Sequence, residues 1–404
     1  MVDVLLCLAS LLITAMSLST KPVVVLGGGI HGASIAYYLS SKFERQVTVV
    51  ERTGVAGAAS GKAGGFLARD WGSRATVQIH ETSYRLHREL ASELSIESYR
   101  QISTLQLDGN NEGRKAPGTP KWLDRTCSVA PMDDNTAQVT PFELTSKLMD
   151  GAVRSGAQLL LGTADALEFN SDRSRVEAVI VDGKRLECET LVVALGPWSG
   201  VFIEDNFDVS MGMEGIKSTS VVLEQVTEVR EEPFAVFCAE DSQHCHLELY
   251  PRPNGELYIC GLGGSDYVSG DRLRRGGDCE SADKVLADPR RVDACLVSIR
   301  GFSSLSDARQ PGVVQACMRP VVPDGLPVMG QISAATSNAF CSTAHNQWGI
   351  LMAPAAGLAM AELVATGRSQ TLDLSHFSPS RFAADNRGSR GKRAGGNRPV
   401  GEQW

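Results

Sequence analysis

The stretch Lys21 to Arg52, KPVVVLGGGIHGASIAYYLSSKFERQVTVVER, restricts the possible folds more than any other part of the chain. Val23 to Leu26 is an apolar, β-branched run too short for a helix, which predicts a strand buried on both faces, as in a parallel sheet. Gly27, Gly29 and Gly32 follow at GxGxxG spacing. The first permits a tight turn, the second lets the backbone approach a diphosphate, and the third lets a helix pack close to the strand. That helix is predicted to begin at Gly32, with Ile35, Ala36, Leu39 and Phe43 at helical spacing; its free N–H groups, beside Ile30, point at the phosphates. A second strand, Val47 to Val50, ends in Glu51, where a carboxylate can accept both hydrogen bonds of a ribose diol. Strand, glycine turn, helix, strand and acid in this order predict a dinucleotide-binding βαβ unit.

At 404 residues the chain is long enough for about two to three domains with a large core. Its net charge of −8, with no basic stripe before the final residues, argues against a nucleic-acid partner. Phosphate binding must then be local, through backbone amides. The ten cysteines are scattered without a CxxC pair, the pattern of an intracellular enzyme, and a cytoplasmic location is expected. Cys238, His244, Cys245 and His246 form the tightest group, but on a strand the two histidines share one face and Cys245 the other, so no metal site is expected there. Residues 1–20 hold an apolar run, Val4 to Met16, shorter than the ~20 residues that span a bilayer. It has the length of a signal core and lacks the basic start of one; a targeting segment to the secretory pathway or an organelle, which would give the chain its membrane contact, and a loosely packed leader both remain open.

Downstream, Gly54 to Gly65 is a small-residue loop able to wrap further amides round a cofactor. Thr76 to Leu94 and Pro141 to Gly156 have helical patterns, Gln158 to Leu161 and Val176 to Val181 strand patterns. Leu191 to Leu195 is a buried strand stopping at Gly196-Pro197-Trp198, as strands do at the ligand crevice of a doubly wound sheet. From Val209 to Ile259 the texture turns to alternating strands, with Asn254-Gly255 as a hairpin signal, and predicts an antiparallel layer. Val268 to Arg291 reads as a solvated, charged excursion and Val292 to Ile299 as a short helix. The first texture returns at Gln315 to Gly330 and at Ser342 to Leu363, a glycine turn entering an alanine-rich helix. The Gly-, Arg- and Asn-rich tail, 383–404, is expected to be disordered.

Four separated segments, GGGIHG with Glu51, SGKAGG, LVVALGPWSG, and MRPVVPDGLPVMG with HNQWGILMAPAAGLAMAEL, resemble the D-amino-acid oxidase family of FAD-dependent oxidoreductases, which includes glycine oxidase and sarcosine oxidase. The resemblance implies FAD rather than NAD, and a chain that returns to the cofactor near its C-terminus suits a flavin held along its length. It implies an α/β fold: a discontinuous Rossmann-type FAD-binding domain (21–85, 138–205, 315–370) and an antiparallel-sheet α+β substrate domain (86–137, 206–314). Carried onto this chain, it implies that Gly27, Gly29, Ile30 and Gly32 hold the diphosphate, Glu51 and Arg52 the adenosine, and Ser60, Gly64 and Gly65 the phosphates and ring. Gly196 and Trp198 would border the flavin, and Asn346, Gln347, Trp348, Gly349 and Ile350 its pyrimidine edge.

Arg319 falls where the family keeps a substrate-carboxylate clamp, a task suited to a guanidinium fork; the alternative is an ion pair with a core acid such as Asp324. Cys317 falls where the sarcosine oxidase group attaches flavin covalently; the alternative is a structural cysteine. Glu248 stands where related oxidases place a tyrosine. If the face shared by His246, Glu248 and Tyr250 lines the pocket, Glu248 favours a cationic amine or takes its proton; if it faces solvent, it is an ordinary strand acid. His31 is expected to sit near the phosphates without a catalytic role. Taken together these readings predict FAD-dependent oxidation of a C–N bond in an amino acid or secondary amine, by hydride transfer to the flavin and with oxygen as acceptor. A dehydrogenase using a quinone or protein acceptor, and a catalytically weak FAD-binding scaffold, are the alternatives.

Overall fold

The computed structural model describes residues 21–382 apart from 110–112, 114 and 308, so the leader 1–20 and the tail 383–404 lie outside the described residues. The first layer is a six-stranded sheet in the order Val328–Ser333, Thr336–Thr343, Thr190–Val193, Val23–Leu26, Val47–Glu51, Gln158–Leu161. All neighbours in it are parallel except the first pair. Successive side chains of Val23–Leu26 enter different cores, Val23 and Val25 one and Val24 and Leu26 the other, which is why the run is uninterrupted by polar residues.

On one face lie helices α1 (Ile30–Ser41), α2 (Val77–Glu93) and α3 (Pro141–Arg154). The opposite face is covered by α4 (Ser199–Phe207) and a three-stranded meander, Ala164–Phe169, Val176–Val181 and Lys184–Glu187. Helix α1 begins at Ile30 rather than Gly32, because Gly29 supplies an extended N-cap (φ −75°, ψ 179°). The domain boundaries read from sequence cut α2 after residue 85 and α4 after residue 205. Ile79, Leu86 and Leu90 of α2 belong to the same core as α1 and α3, and an amphipathic helix at a domain junction shows no break in pattern.

A second, eight-stranded sheet runs Asp266–Val268, Glu214–Leu223, Leu257–Cys260, Glu248–Pro251, Phe234–Cys238, Ser103–Asp108, Ser128–Asp133, with Val313–Val321 also on Glu214–Leu223. It is mixed rather than purely antiparallel, since Phe234–Cys238 runs parallel to Ser103–Asp108. One face packs on α5 (Pro289–Phe302) through Cys295, Ile299 and Phe302. The segment 268–291 is not a solvated excursion. Leu273, Cys279 and Val285 are buried with Ala316 and Met318, while its charges pair with neighbours, Arg272 with Asp266 and Asp278, and Arg274 with Glu204 and Asp205. The His244 to His246 stretch is a turn, not a strand, because Asp241 accepts from the Gln243 and Cys245 amides and His244 is left-handed (φ 55°).

Helix α6 (Gly349–Thr366) is long and apolar enough to cross a membrane by length and composition, yet its surface is buried against α1 and α2. Gly357 lets Ser34 approach so closely that a Cβ would lie 2.1 Å from Ser34 Oγ. Pro354 has no N–H for the Ile350 carbonyl. His87 of α2 supplies the donor: its Nε2 lies 3.1 Å from Ile350 O and 3.0 Å from Leu351 O, while Ser83 Oγ accepts from Ala355 N at 2.9 Å. Two carbonyl partners require the Nε2–H tautomer. Removing that donor strands two buried acceptors, so His87→Ala is expected to lower unfolding stability by about 2–4 kcal/mol, read by urea denaturation, with part restored by the donor amide of His87→Gln.

Candidate active site

The carboxyl ends of the parallel strands open into a cavity of about 1200 Å³ that Leu26, Val50, Ala194 and Thr343 enter from four different strand ends. That exceeds the ~300–1,000 Å³ of ordinary small-molecule sites and suits an extended ligand with room for a second. Its position is the crevice where doubly wound sheets bind ligands.

One end is built by the glycine turn. Gly27 adopts φ +108°, and a Cβ there would lie 2.4 Å from Ala194 O; a Cβ on Gly32 would lie 1.9 Å from Gly27 O. Gly27, Gly29 and Ile30 line the cavity, and Gly32 sits beneath them. Ser60, on the helical turn Ala59–Lys62, accepts from Ile30 N at 2.9 Å and so docks the second glycine loop on the first. Glu51 lines the cavity with its carboxylate bonded to Gly28 N (2.7 Å), Thr53 N (2.8 Å) and Thr53 Oγ1 (3.0 Å). Arg52 reaches the Glu280 carbonyl (2.7 Å), which ties the 268–291 strap over this end.

The middle is bordered by Gly64, Gly65, Gly196, Trp198 and Asn346 to Ile350. Trp198 Nε1 donates to Cys279 O at 3.0 Å, and Thr343 Oγ1 to Gly196 O at 2.9 Å. Asn346 is left-handed (φ 48°), and its buried Oδ1, like Ser342 Oγ, has no hydrogen-bond partner among the described residues. Glycines that leave no room for a Cβ, two helix N-termini and buried polar atoms facing the cavity together fit a dinucleotide carrying a polar ring system.

The far end is one face of the eight-stranded sheet. Glu248 lies opposite Cys260, Tyr250 opposite Tyr258, and Arg319 opposite Ile216, and the alternation of the strands brings Glu248, Tyr250, Cys317 and Arg319 to the cavity. Asp324, the acid considered for Arg319, instead pairs with Arg381 at 2.7 Å. Tyr250 donates its hydroxyl to Glu248 Oε2 and is stacked on Phe66, ring centroids 5.3 Å apart. Burial, then the Glu248 charge, pushes the Tyr250 pKa well up, so it stays a phenol donor. Trp71 and Phe237 (5.2 Å) and Trp348 close an aromatic enclosure.

Sequence reasoning missed Phe66, Trp71, Phe237, Tyr258 and Cys260. The last two had a signal, since the Asn254-Gly255 hairpin dictates their register with Tyr250 and Glu248. His246 precedes the strand and is not among the cavity-lining residues. Several histidines near the cofactor end are buried, and burial lowers their pKa values, His31 to about 3 and His87 to about 4. An unfolded histidine titrates near ~6.5, so the unfolded chain binds more protons below that value and stability falls as pH drops from about 6.5 toward 4. The melting temperature of the flavin-free protein is expected to decline over that window and to be flat with respect to these groups above it.

The family model for FAD-dependent oxidoreductases (DAO) matches residues 22–363. A Schizosaccharomyces pombe protein named as a candidate oxidoreductase is 25% identical over 394 residues, covering 89% of this chain and 98% of the relative. Among solved structures, L-amino acid deaminase from Proteus vulgaris superposes with a TM-score of 0.75 at 16% identity, covering 90% and 97% of the two chains. Glycine oxidase from Geobacillus kaustophilus gives 0.71 at 21%, covering 89% and 98%. With a cavity of this construction and a family match across most of its length, the chain belongs to the DAO family of FAD-dependent oxidoreductases.

Proposed function

We propose that this chain oxidises the C–N bond of a small amino acid or amine at the aromatic end of its cavity. One observation carries the reading: the hydrogen-bonded pair Glu248 and Tyr250, enclosed by aromatic rings, and the guanidinium of Arg319, on a separate strand of the same sheet, all line the cavity that the glycine turn opens. Bound FAD supplies the acceptor for a hydride from the carbon beside nitrogen. The protein's share is alignment and exclusion of water. Arg319 grips a substrate carboxylate through its planar fork. Glu248, held in place by Tyr250, binds the substrate ammonium or takes its proton before the hydride leaves. Phe66, Trp71, Phe237 and Trp348 keep water from the reacting carbon. The relatives' printed activities, on glycine and on L-amino acids, support a small amine-bearing substrate.

We place oxygen as the acceptor that completes turnover. Peroxide formed per substrate consumed tests this: a ratio near one agrees, and turnover with an artificial acceptor but no peroxide in air moves the assignment to a quinone- or protein-linked dehydrogenase.

A further inference from the structure

Two imidazoles meet inside the cofactor cavity. His31 lies in the first turn of α1, and His345 immediately precedes the helical turn Asn346–Trp348 that leads into α6. Their rings stack with centroids 3.6 Å apart and planes 16° from parallel. Both line the cavity, His345 at only 3% exposure; among the described residues neither ring nitrogen of His345 has a hydrogen-bond partner, and the His31 ring has only the Gly349 backbone beside it, short of a well-formed hydrogen bond. Gly349, the first residue of α6, lies beside the His31 ring. The stack therefore occupies the point where the positive ends of two long helices converge.

Buried ring nitrogens left this poorly satisfied call for a ligand. The surroundings do not favour a charged ring while the cavity is neutral: burial lowers both pKa values, and a proton on either ring repels one on the other. Arg319, on the strand Val313–Val321 packed against the Asn346–Trp348 turn, lines the same cavity, and other ionisable groups on neighbouring elements are bonded elsewhere. Glu51 is bonded to Gly28 and Thr53, Lys62 to the Ala316 carbonyl, His80 to Ala68, and His87 to the α6 carbonyls; Glu362, near the far end of α6, is bonded to residues 370 and 371. Negative charge arriving at this point reverses the balance, because it favours the protonated ring that burial disfavours, and two helix N-termini are where an anion settles.

We propose that the His31–His345 stack takes up one proton from solvent when negative charge is placed between the N-termini of α1 and α6, so that cofactor charge and proton binding are coupled there. One ring becomes imidazolium; no bond to the cofactor forms and no electron moves to the protein. The charge has two sources in FAD: its diphosphate, present on binding, or its ring after two-electron reduction. The inference rests on FAD binding alone and stands whether or not the substrate is an amine.

The test counts protons with a pH indicator in weak buffer, first as FAD is added to apoprotein, then as the anaerobic holoprotein is reduced by dithionite, in wild type, His31→Gln and His345→Gln. The expected result is about one proton more in wild type than in either variant in one of the two steps. An excess on FAD addition identifies the diphosphate, and an excess on reduction identifies the ring. Equal counts in both steps, in variants that bind FAD stoichiometrically, overturn the proposal. If neither variant binds FAD, wild type decides alone. FAD affinity rising about tenfold per unit fall in pH, or a midpoint potential steeper in pH than that of free FAD, supports it; an affinity independent of pH together with a potential that tracks free FAD overturns it.

Discussion

Gly32→Ala is expected to give a protein that purifies without flavin colour. The added Cβ would sit 1.9 Å from Gly27 O and 3.1 Å from Gly27 C, both backbone atoms of the turn itself. No side chain can move aside, so α1 must shift off the strand or the turn must open. Either change displaces the amides at Ile30 and the helix N-terminus from the diphosphate position, and a displacement of about 1 Å is enough to cost a factor of ~10² where alignment matters. Overpacking adds roughly 1–3 kcal/mol of destabilisation. Flavin absorbance per mole of protein and the melting temperature read the two effects separately. Gly301→Ala is the control: outside its own helix turn no atom of the described residues lies within 4 Å of its Cβ in α5, so it is expected to keep its colour and to gain up to about 1 kcal/mol.

Arg319→Met and Glu248→Gln are expected to separate substrate binding from proton handling. Methionine keeps the length of the side chain and removes the fork, so kcat/KM for a carboxylate substrate falls roughly 10- to 100-fold, mostly through KM. An amine without a carboxylate is expected to lose little. Glutamine keeps the shape of Glu248 and can still accept from Tyr250, but it cannot take a proton, so kcat falls by about 10²–10⁴ if Glu248 is the base. Steady-state kinetics with a matched pair of substrates, one with and one without the carboxylate, reads both. Unchanged constants in both variants would remove this wall from the mechanism.

Much of the fold that frames this cavity was legible in the sequence. The βαβ unit was legible because its signals are local: a short apolar run, glycines at fixed spacing and an acid at a strand end all fall within Lys21 to Arg52. The hairpin carrying Glu248 and Tyr250 was legible for the same reason, through its Asn254-Gly255 turn. What failed was long-range. The strap at 268–291 looked solvated because a few apolar residues, Leu273, Cys279 and Val285 among them, are spread among many charges that pair within the fold. The parallel pairing of Phe234–Cys238 with Ser103–Asp108 leaves no trace in periodicity. The same holds for the repair of the Pro354 gap by His87 and for the meeting of His31 with His345, since each depends on helices or loops brought together from opposite ends of the chain.

The central claim, that bound FAD in this chain accepts a hydride from an amine-bearing carbon, is tested most directly by anaerobic mixing of the purified yellow protein with a panel of amino acids and amines. The account predicts that at least one compound bleaches the flavin and that admitting oxygen restores the colour. A flavin that dithionite bleaches and no compound of the panel does would contradict it.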